Sequence, residues 1–250
     1  ALFIRSKQGV YLTNYGKELF PYIKNVQNSE EYLQQAVAQI GGMEKGVVRI
    51  GTFNSACVEW MPSLLRGFEK DYPNIRIDIY QGSYDDVYQW LKDGIVDLGF
   101  LSSTSAGDLS CTPIYQDKII CVAPQGFKTE NEGYITIEEL KKQRFVTQRE
   151  GCDADVNHVM NKYDLPGGGG SYIADDMSAV SLVMGGFGVC LMPELVIRNI
   201  PFPVDVIPLE VEEKRTIVLA YVRSDVLAPA VQKMQSYILE SFQKKAEEEQ

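Results

Sequence analysis

Catalysis in this chain would have to be built from very few groups. His158 is the only histidine. It sits inside "DVNHVMNKY" and no G-x-S-x-G accompanies it, so neither a serine nor a cysteine nucleophile has an evident base. One histidine among scattered cysteines is an equally poor metal set. "GGFG" (185–188) lacks the third glycine of a dinucleotide fingerprint and ends a helical run instead of following a strand. No Walker motif is present. These residues point to a non-enzyme that needs neither a metal nor a cofactor.

The five cysteines, Cys57, Cys111, Cys121, Cys152 and Cys190, form an odd set without a C-x-x-C, which is no disulfide framework. Four sit in apolar or strand-like surroundings and are expected to be small buried thiols. The net charge of −10 disfavours nucleic-acid binding by the piece as a whole. The charge is uneven: Arg5, Lys7, Lys17 and Lys24 face Glu18 alone over residues 1–28, whereas the chain closes on the acidic "AEEEQ". With 45% hydrophobic and 23% charged residues over 250 positions, the chain has the composition of a globular protein with a substantial core. It holds no apolar run of about 18 residues and no secretory leader pattern, so the expected location is the cytoplasm, away from the membrane.

The periodicity sets out the elements. Leu19, Ile23, Val26, Glu30, Leu33, Val37 and Ile40 recur at alternating steps of four and three, an a/d seam with one polar break. Thr13 is the expected N-cap of this helix and "GG" at 41–42 its stop. A narrow stripe on so long a helix suits pairing with another helix, so Leu19, Ile23, Val26, Leu33, Val37 and Ile40 are the expected dimerisation residues. "VVRIGTF", "IRIDIYQG" and "VDLGFLS" read as strands. Between them lie "CVEWMPSLLRGFEKDY", a helix expected to be interrupted at Pro62, and "YDDVYQWLKDG", the βαβαβ unit of an open parallel sheet. After "CTPIYQDKIICVAP" a second series follows, with strands at "RFVTQ", "SYIAD", "GVCLMP", "VDVIPLE" and "RTIVLAYV". Helices intervene at 136–143, 153–163, 176–186 and 194–200, and one closes the chain at 228–245. Two such series, with the chain leaving near 122 and returning near 222, describe two lobes joined by a two-strand hinge. Ligands of such folds sit at the carboxyl ends of the strands, in the crevice.

The opening "LFIRSKQGVYLTNYGKELF" resembles the wing and linker-helix start of LysR-type transcriptional regulators. "RIGTF", "MPSLLRGFEKDYPNIRIDIYQG", "LKDGIVDLGF" and "DDMSAVSLVMGGFGVCLMPEL" are similar, in the same order, to their effector-binding domain. The resemblance implies an α/β fold: a two-lobed effector domain like a type 2 periplasmic binding protein, preceded by a long linker helix. Residues 1–15 would be a remnant of the winged helix-turn-helix and 16–44 the linker and dimerisation helix. Residues 46–122 and 222–245 would form lobe I, and 123–221 lobe II. It also implies a homodimer or homotetramer and promoter DNA as partner, reached through roughly 55 to 60 further upstream residues. Arg5 and Lys7 would lie on the wing, where basic residues touch phosphates.

On that footing a small effector, with an anion as one fit to the helix N-termini, is held by the loops that open the helices. The expected contacts are Asn54, Ser55 and Ala56, then Ser83 in "GSY", then Ser102 and Ser103. From the other lobe come Gln148, Arg149 and Cys152, with Arg149 the only obvious cation. The plain alternative for Ser55 and Ser83 is helix capping. Asp175 and Asp176 read as a cap and dipole partner, and Met192 and Pro193 as packing against the crevice wall. Two other functions remain open: a solute-binding protein or regulatory domain on the same fold, and a cysteine-based redox sensor. The "GGGG" run at 167–170 has no assigned role.

Overall fold

The structure is a computed structural model that describes residues 1–148, 153–167, 173, 175–198, 201–222 and 227–248. The chain opens with a hairpin of β1 (Phe3–Ser6) and β2 (Gly9–Leu12), antiparallel with Phe3 opposite Leu12. Gly9 takes φ +133, a value open to glycine. Phe3 and Ile4 are exposed.

Helix α1 (Asn14–Ile40) starts where the cap predicts, since the Thr13 hydroxyl accepts from Gly16 N at 2.9 Å. It ends in a Schellman motif: Gly42, at φ +75, donates to the Gln39 carbonyl and Met43 N to the Ala38 carbonyl. The helix docks on its own domain by its polar residues. Asn28 donates to the Gly94 carbonyl at 2.8 Å and Gln35 accepts from Ala230 N at 3.3 Å. Tyr32 donates to Asp97 at 3.0 Å, and Glu31 pairs with Arg49 at 2.7 Å. The apolar seam is left in solvent.

One six-stranded sheet in the order β4-β3-β5-β8-β6-β7 runs through both lobes. β3 (Gly46–Thr52) pairs in parallel with β4 (Ile75–Gln81) and β5 (Leu98–Ser102), joined by α2 (Asn54–Asp71) and α3 (Tyr84–Lys92), as the βαβαβ reading requires. α2 passes through Pro62 without a break and begins three residues earlier than expected, so Asn54, Ser55 and Ala56 form its first turn. β6 (Ser110–Pro124) and β8 (Val204–Tyr221) are long antiparallel neighbours, the latter merging two expected strands into one. Their register shifts between Ile119 and Ile120. Below that step Ile217–Ala220 join the first apolar cluster, with Trp60, Phe68, Phe100, Met234 and Phe242. Beyond it Ile119, Cys121, Ile207 and Leu209 pack on one face of the sheet, and Ile120 and Val122 on the other. The chain therefore changes lobe within two continuous strands, at a point where strand alternation hands side chains to a new core.

The second lobe is less regular than expected. "RFVTQ" and "SYIAD" supply only single parallel bridges among the described residues, Phe145 to Val189 and Gln148 to Ile173. Its elements are α4 (Ile137–Lys141), α5 (Ala154–Lys162), α6 (Asp176–Met184), β7 (Cys190–Pro193) and α7 (Glu194–Ile197). "GGFG" has a structural use here. Gly186, at φ +77, closes α6 through a second Schellman motif, and a Cβ on Gly188 would stand 2.2 Å from the Arg144 carbonyl oxygen. Helix α8 (Pro229–Glu248) returns to cover the first lobe.

Candidate functional site

A crevice of about 660 Å³ opens between the lobes, where α2 and α3 of the first lobe face α5 and α6 of the second. Of the expected contacts, Asn54, Ser55, Ser83 and Gln148 line it. Ala56 is wholly buried and turns its side chain into the core. Ser102 is also buried, with its hydroxyl spent on Thr104 at 3.0 Å, and neither it nor Ser103 lines the crevice. Arg149 and Cys152 lie outside the described residues, as do Gly168–Gly170 of the glycine run.

Ser83 proves to be the capping residue that the plain reading allowed. Its hydroxyl accepts from Asp86 N and donates to Asp86 Oδ2 at 2.7 Å, a closed capping box. The next residue, Tyr84, presents its hydroxyl instead.

The centre of the site is Arg215, which the sequence reading missed. It lies on β8 directly opposite Asp117 of β6 and is only 3% exposed. Nε donates to Asp117 Oδ2 at 2.9 Å, and Nη2 is ion-paired with the same oxygen at 2.7 Å. Nη2 also donates to Ser55 Oγ at 3.0 Å, Nη1 donates to the Tyr84 hydroxyl at 2.6 Å, and Asp153 Oδ2 stands 3.6 Å from Nη1. The guanidinium lies over the Phe53 ring, 5.0 Å from its centroid. One side chain on the hinge thus touches the N-terminal turns of α2 and α3, its own neighbouring strand and the cap of α5. Burial works against its charge, and Tyr84, Asp153 and Asp117 more than offset this, so its pKa is raised. Burial pushes the Asp117 carboxyl up against the pull of Arg215, and raises Asp153 to about 6.

The described wall of the crevice is acidic. Asp85, Asp86, Asp153, Asp175 and Asp176 line it. Asp86 is held low by the Ser83 hydroxyl and amide, and Asp175 by Ser178. Asp176 accepts from Gln148 Nε2 at 2.5 Å. Beside the crevice, Thr104 of the first lobe donates to Asp155 Oδ1 of the second at 3.0 Å, a direct tie between lobes.

The cysteines divide unevenly. Cys121 and Cys190 are buried, with burial raising both thiols, Cys121 to about 12. Cys57 is half-buried, and Cys111 is exposed, contrary to the expectation of a buried thiol. No residue set among those described could hold a metal, and no described helix is long and apolar enough to cross a membrane.

Comparison with known proteins places this architecture. Residues 41–243 match the LysR substrate binding domain. The chain is 24% identical over 252 aligned residues to the transcriptional dual regulator GltC of Bacillus subtilis (strain 168), covering 97% of this chain and 83% of that protein. It is 23% identical to YvbU of the same organism, an HTH-type transcriptional regulator, covering 84% of this chain and 72% of that one. In three dimensions it is similar to the effector binding domain of QuiR in complex with shikimate, with a TM-score of 0.70 at 19% identity, covering 80% of this chain and 98% of that one.

Proposed function

The chain belongs to the LysR-type transcriptional regulators through its substrate-binding domain, and from that premise we propose that it supplies effector sensing and oligomerisation to a ligand-responsive, DNA-binding regulator. A small molecule enters the inter-lobe crevice and resets the angle between the lobes. The observation that carries this reading is the Arg215 hub, because a ligand that engages Ser55 or Tyr84 acts on the side chain that also contacts the hinge strand and the second lobe. The QuiR domain, which binds shikimate in a fold of this kind, supports the same use of the crevice.

Oligomerisation is assigned to the α1 seam. Leu19, Ile23, Val26, Leu33, Val37 and Ile40 are 45–89% exposed, whereas the polar residues of the helix hold it to its own domain. Such a stripe is the surface a second copy would cover. Arg5 and Lys7, exposed on and beside β1, are assigned to phosphate contacts of a winged DNA reader, with the whole acting in the cytoplasm. The regulator reading takes precedence over a transport role because the relatives are named as transcriptional regulators, and these are not enzymes.

A metabolite thermal-shift screen of the 250-residue chain tests the sensing role. The expected result is stabilisation by at least one metabolite, lost on Ser55→Ala. A chain that no metabolite stabilises, or a shift indifferent to Ser55→Ala, would count against a sensing crevice.

A further inference from the structure

The chemistry of the crevice selects its ligand more narrowly than the fold does, and this step rests on the sensing role proposed above. A simple anion would be expected to meet a free cation, and Arg215 is not free. Nε, Nη1 and Nη2 are all engaged, with Asp117, Tyr84, Ser55 and Asp153 as their partners. Its positive charge is already answered by Asp117, which is fully buried, and by Asp153.

Two other features of the same wall remain unspent. Ser55 and Tyr84 are 5% and 6% exposed and both line the crevice. Each hydroxyl oxygen accepts from Arg215, and neither hydroxyl proton has an acceptor among the described residues. A hydroxyl carries one donor beside its acceptor lone pairs, so these two protons on the crevice wall are available to an acceptor placed there. α2 begins beside them at Phe53, which offers no side-chain cap to the first-turn N–H groups. This is a donor pole. By contrast α3, α5 and α6 have their N-termini closed by Ser83 with Asp86, by Asp153 and by Asp175.

The rest of the lining is negative. Among the described lining residues, five carboxylates face the crevice against the neutralised guanidinium of Arg215. Among the described residues Asp85 has no side-chain hydrogen bond, and Asp176 has one, at Oδ1 from Gln148. A dicarboxylate or a phosphate would bring further negative charge into this field, where like charges repel strongly in a partly desolvated space.

We infer that the effector is bipolar: a small molecule with a carboxylate or similar acceptor for Ser55, Tyr84 and the α2 N-terminus, and a protonated amine for the Asp85 and Asp176 side. That is the chemistry of an amino acid or a close derivative, and the crevice volume accommodates a molecule of that size.

The experiment compares matched pairs in calorimetric titration and thermal shift of the intact chain: the twenty protein amino acids, and the same carbon skeletons without the amine, such as glutarate for glutamate and 3-phenylpropionate for phenylalanine. The expected result is that at least one amino acid binds and its amine-free partner binds at least about tenfold more weakly. Asp176→Asn should weaken the amino acid by a similar factor and leave the amine-free acid unchanged, while Ser55→Ala weakens both. Circular dichroism of each variant establishes that it is folded, and Asp85→Asn serves as a second test of the negative side should Asp176→Asn not fold.

Equal or tighter binding of an amine-free acid, lost on Ser55→Ala and unaffected or improved by Asp176→Asn, overturns the bipolar ligand and leaves the sensing crevice intact. An amine-bearing ligand without an acceptor group, unaffected by Ser55→Ala, overturns the donor pole. If none of these compounds binds while another metabolite stabilises the chain through Ser55, the amino-acid class is wrong. If nothing stabilises the chain, the sensing role itself fails.

Discussion

Arg215 and Asp153 show how a buried charge cluster sets a pH response. Asp153 caps α5 through Asp155 N and Val156 N, both at 3.1 Å, and stands 3.6 Å from Arg215. Desolvation outweighs those favourable contacts and raises its pKa from 3.8 to about 6. The folded state therefore holds a proton that the unfolded chain has already released over this interval, so this group makes stability fall as pH rises from about 4 to 6 and contributes no slope above that. The full effect is about 3 kcal/mol at 1.36 kcal/mol per pKa unit. Asp153→Asn keeps a capping side chain and removes the titration. Urea melts across pH 4–7 should show that component of the slope abolished. A variant whose stability follows pH as the parent does would mean that Asp153 is not held up by burial.

Helix α1 inverts the usual arrangement of an amphipathic helix, and this decides how it serves as an element. The Tyr32, Asp97, Arg49 and Glu31 chain fastens it to the first lobe: Asp97 accepts from Tyr32 at 3.0 Å and from Arg49 N at 2.7 Å. Burial raises the Asp97 carboxyl, and burial is also the leading cause of the raised pKa of Tyr32. The apolar stripe is left largely in solvent, with Val26 72% and Ile40 89% exposed. Val26→Glu should for that reason abolish self-association in sedimentation while changing the melting temperature of the monomer little, since exposed substitutions generally fall within about 0.5 kcal/mol. Sedimentation that finds the variant still associated would remove the seam as the contact.

At the scale of the whole molecule, the lobes are joined by β6 and β8 and tied across the crevice by few groups. Thr104 to Asp155 is one tie, and Arg215 to Asp153 is another. Thr104→Val removes the first and leaves Asp155 with neither carboxylate oxygen hydrogen-bonded by Thr104. The expected outcome is a larger population of open molecules, read as a greater radius of gyration in small-angle scattering, and a severalfold weaker ligand because only the closed fraction binds fully. Unchanged scattering and affinity would show that this bond does not govern closure.

Much of this protein was legible from its residues. The Thr13 cap, the glycine stop of α1, the parallel βαβαβ unit and the start of α3 after Ser83 follow from local rules, in which each signal and its consequence lie within a few positions. Local reading also misled, and in a consistent way. It broke α2 at Pro62, divided β8 into two strands, placed "RFVTQ" in a strand, and buried Cys111, because each outcome depends on what packs against the segment. The crevice chemistry lay furthest from reach. Arg215 precedes the apolar run "TIVLAY" and looks like a strand-end charge. Only the register of β6 against β8 sets it opposite Asp117, 98 positions away in the chain. Only the meeting of two lobes brings Ser55, Tyr84 and Asp153 around it. Sequence determined the elements and the family because those rest on short-range pattern; tertiary structure decided the electrostatics of the site because a buried charge is defined by its neighbours in space.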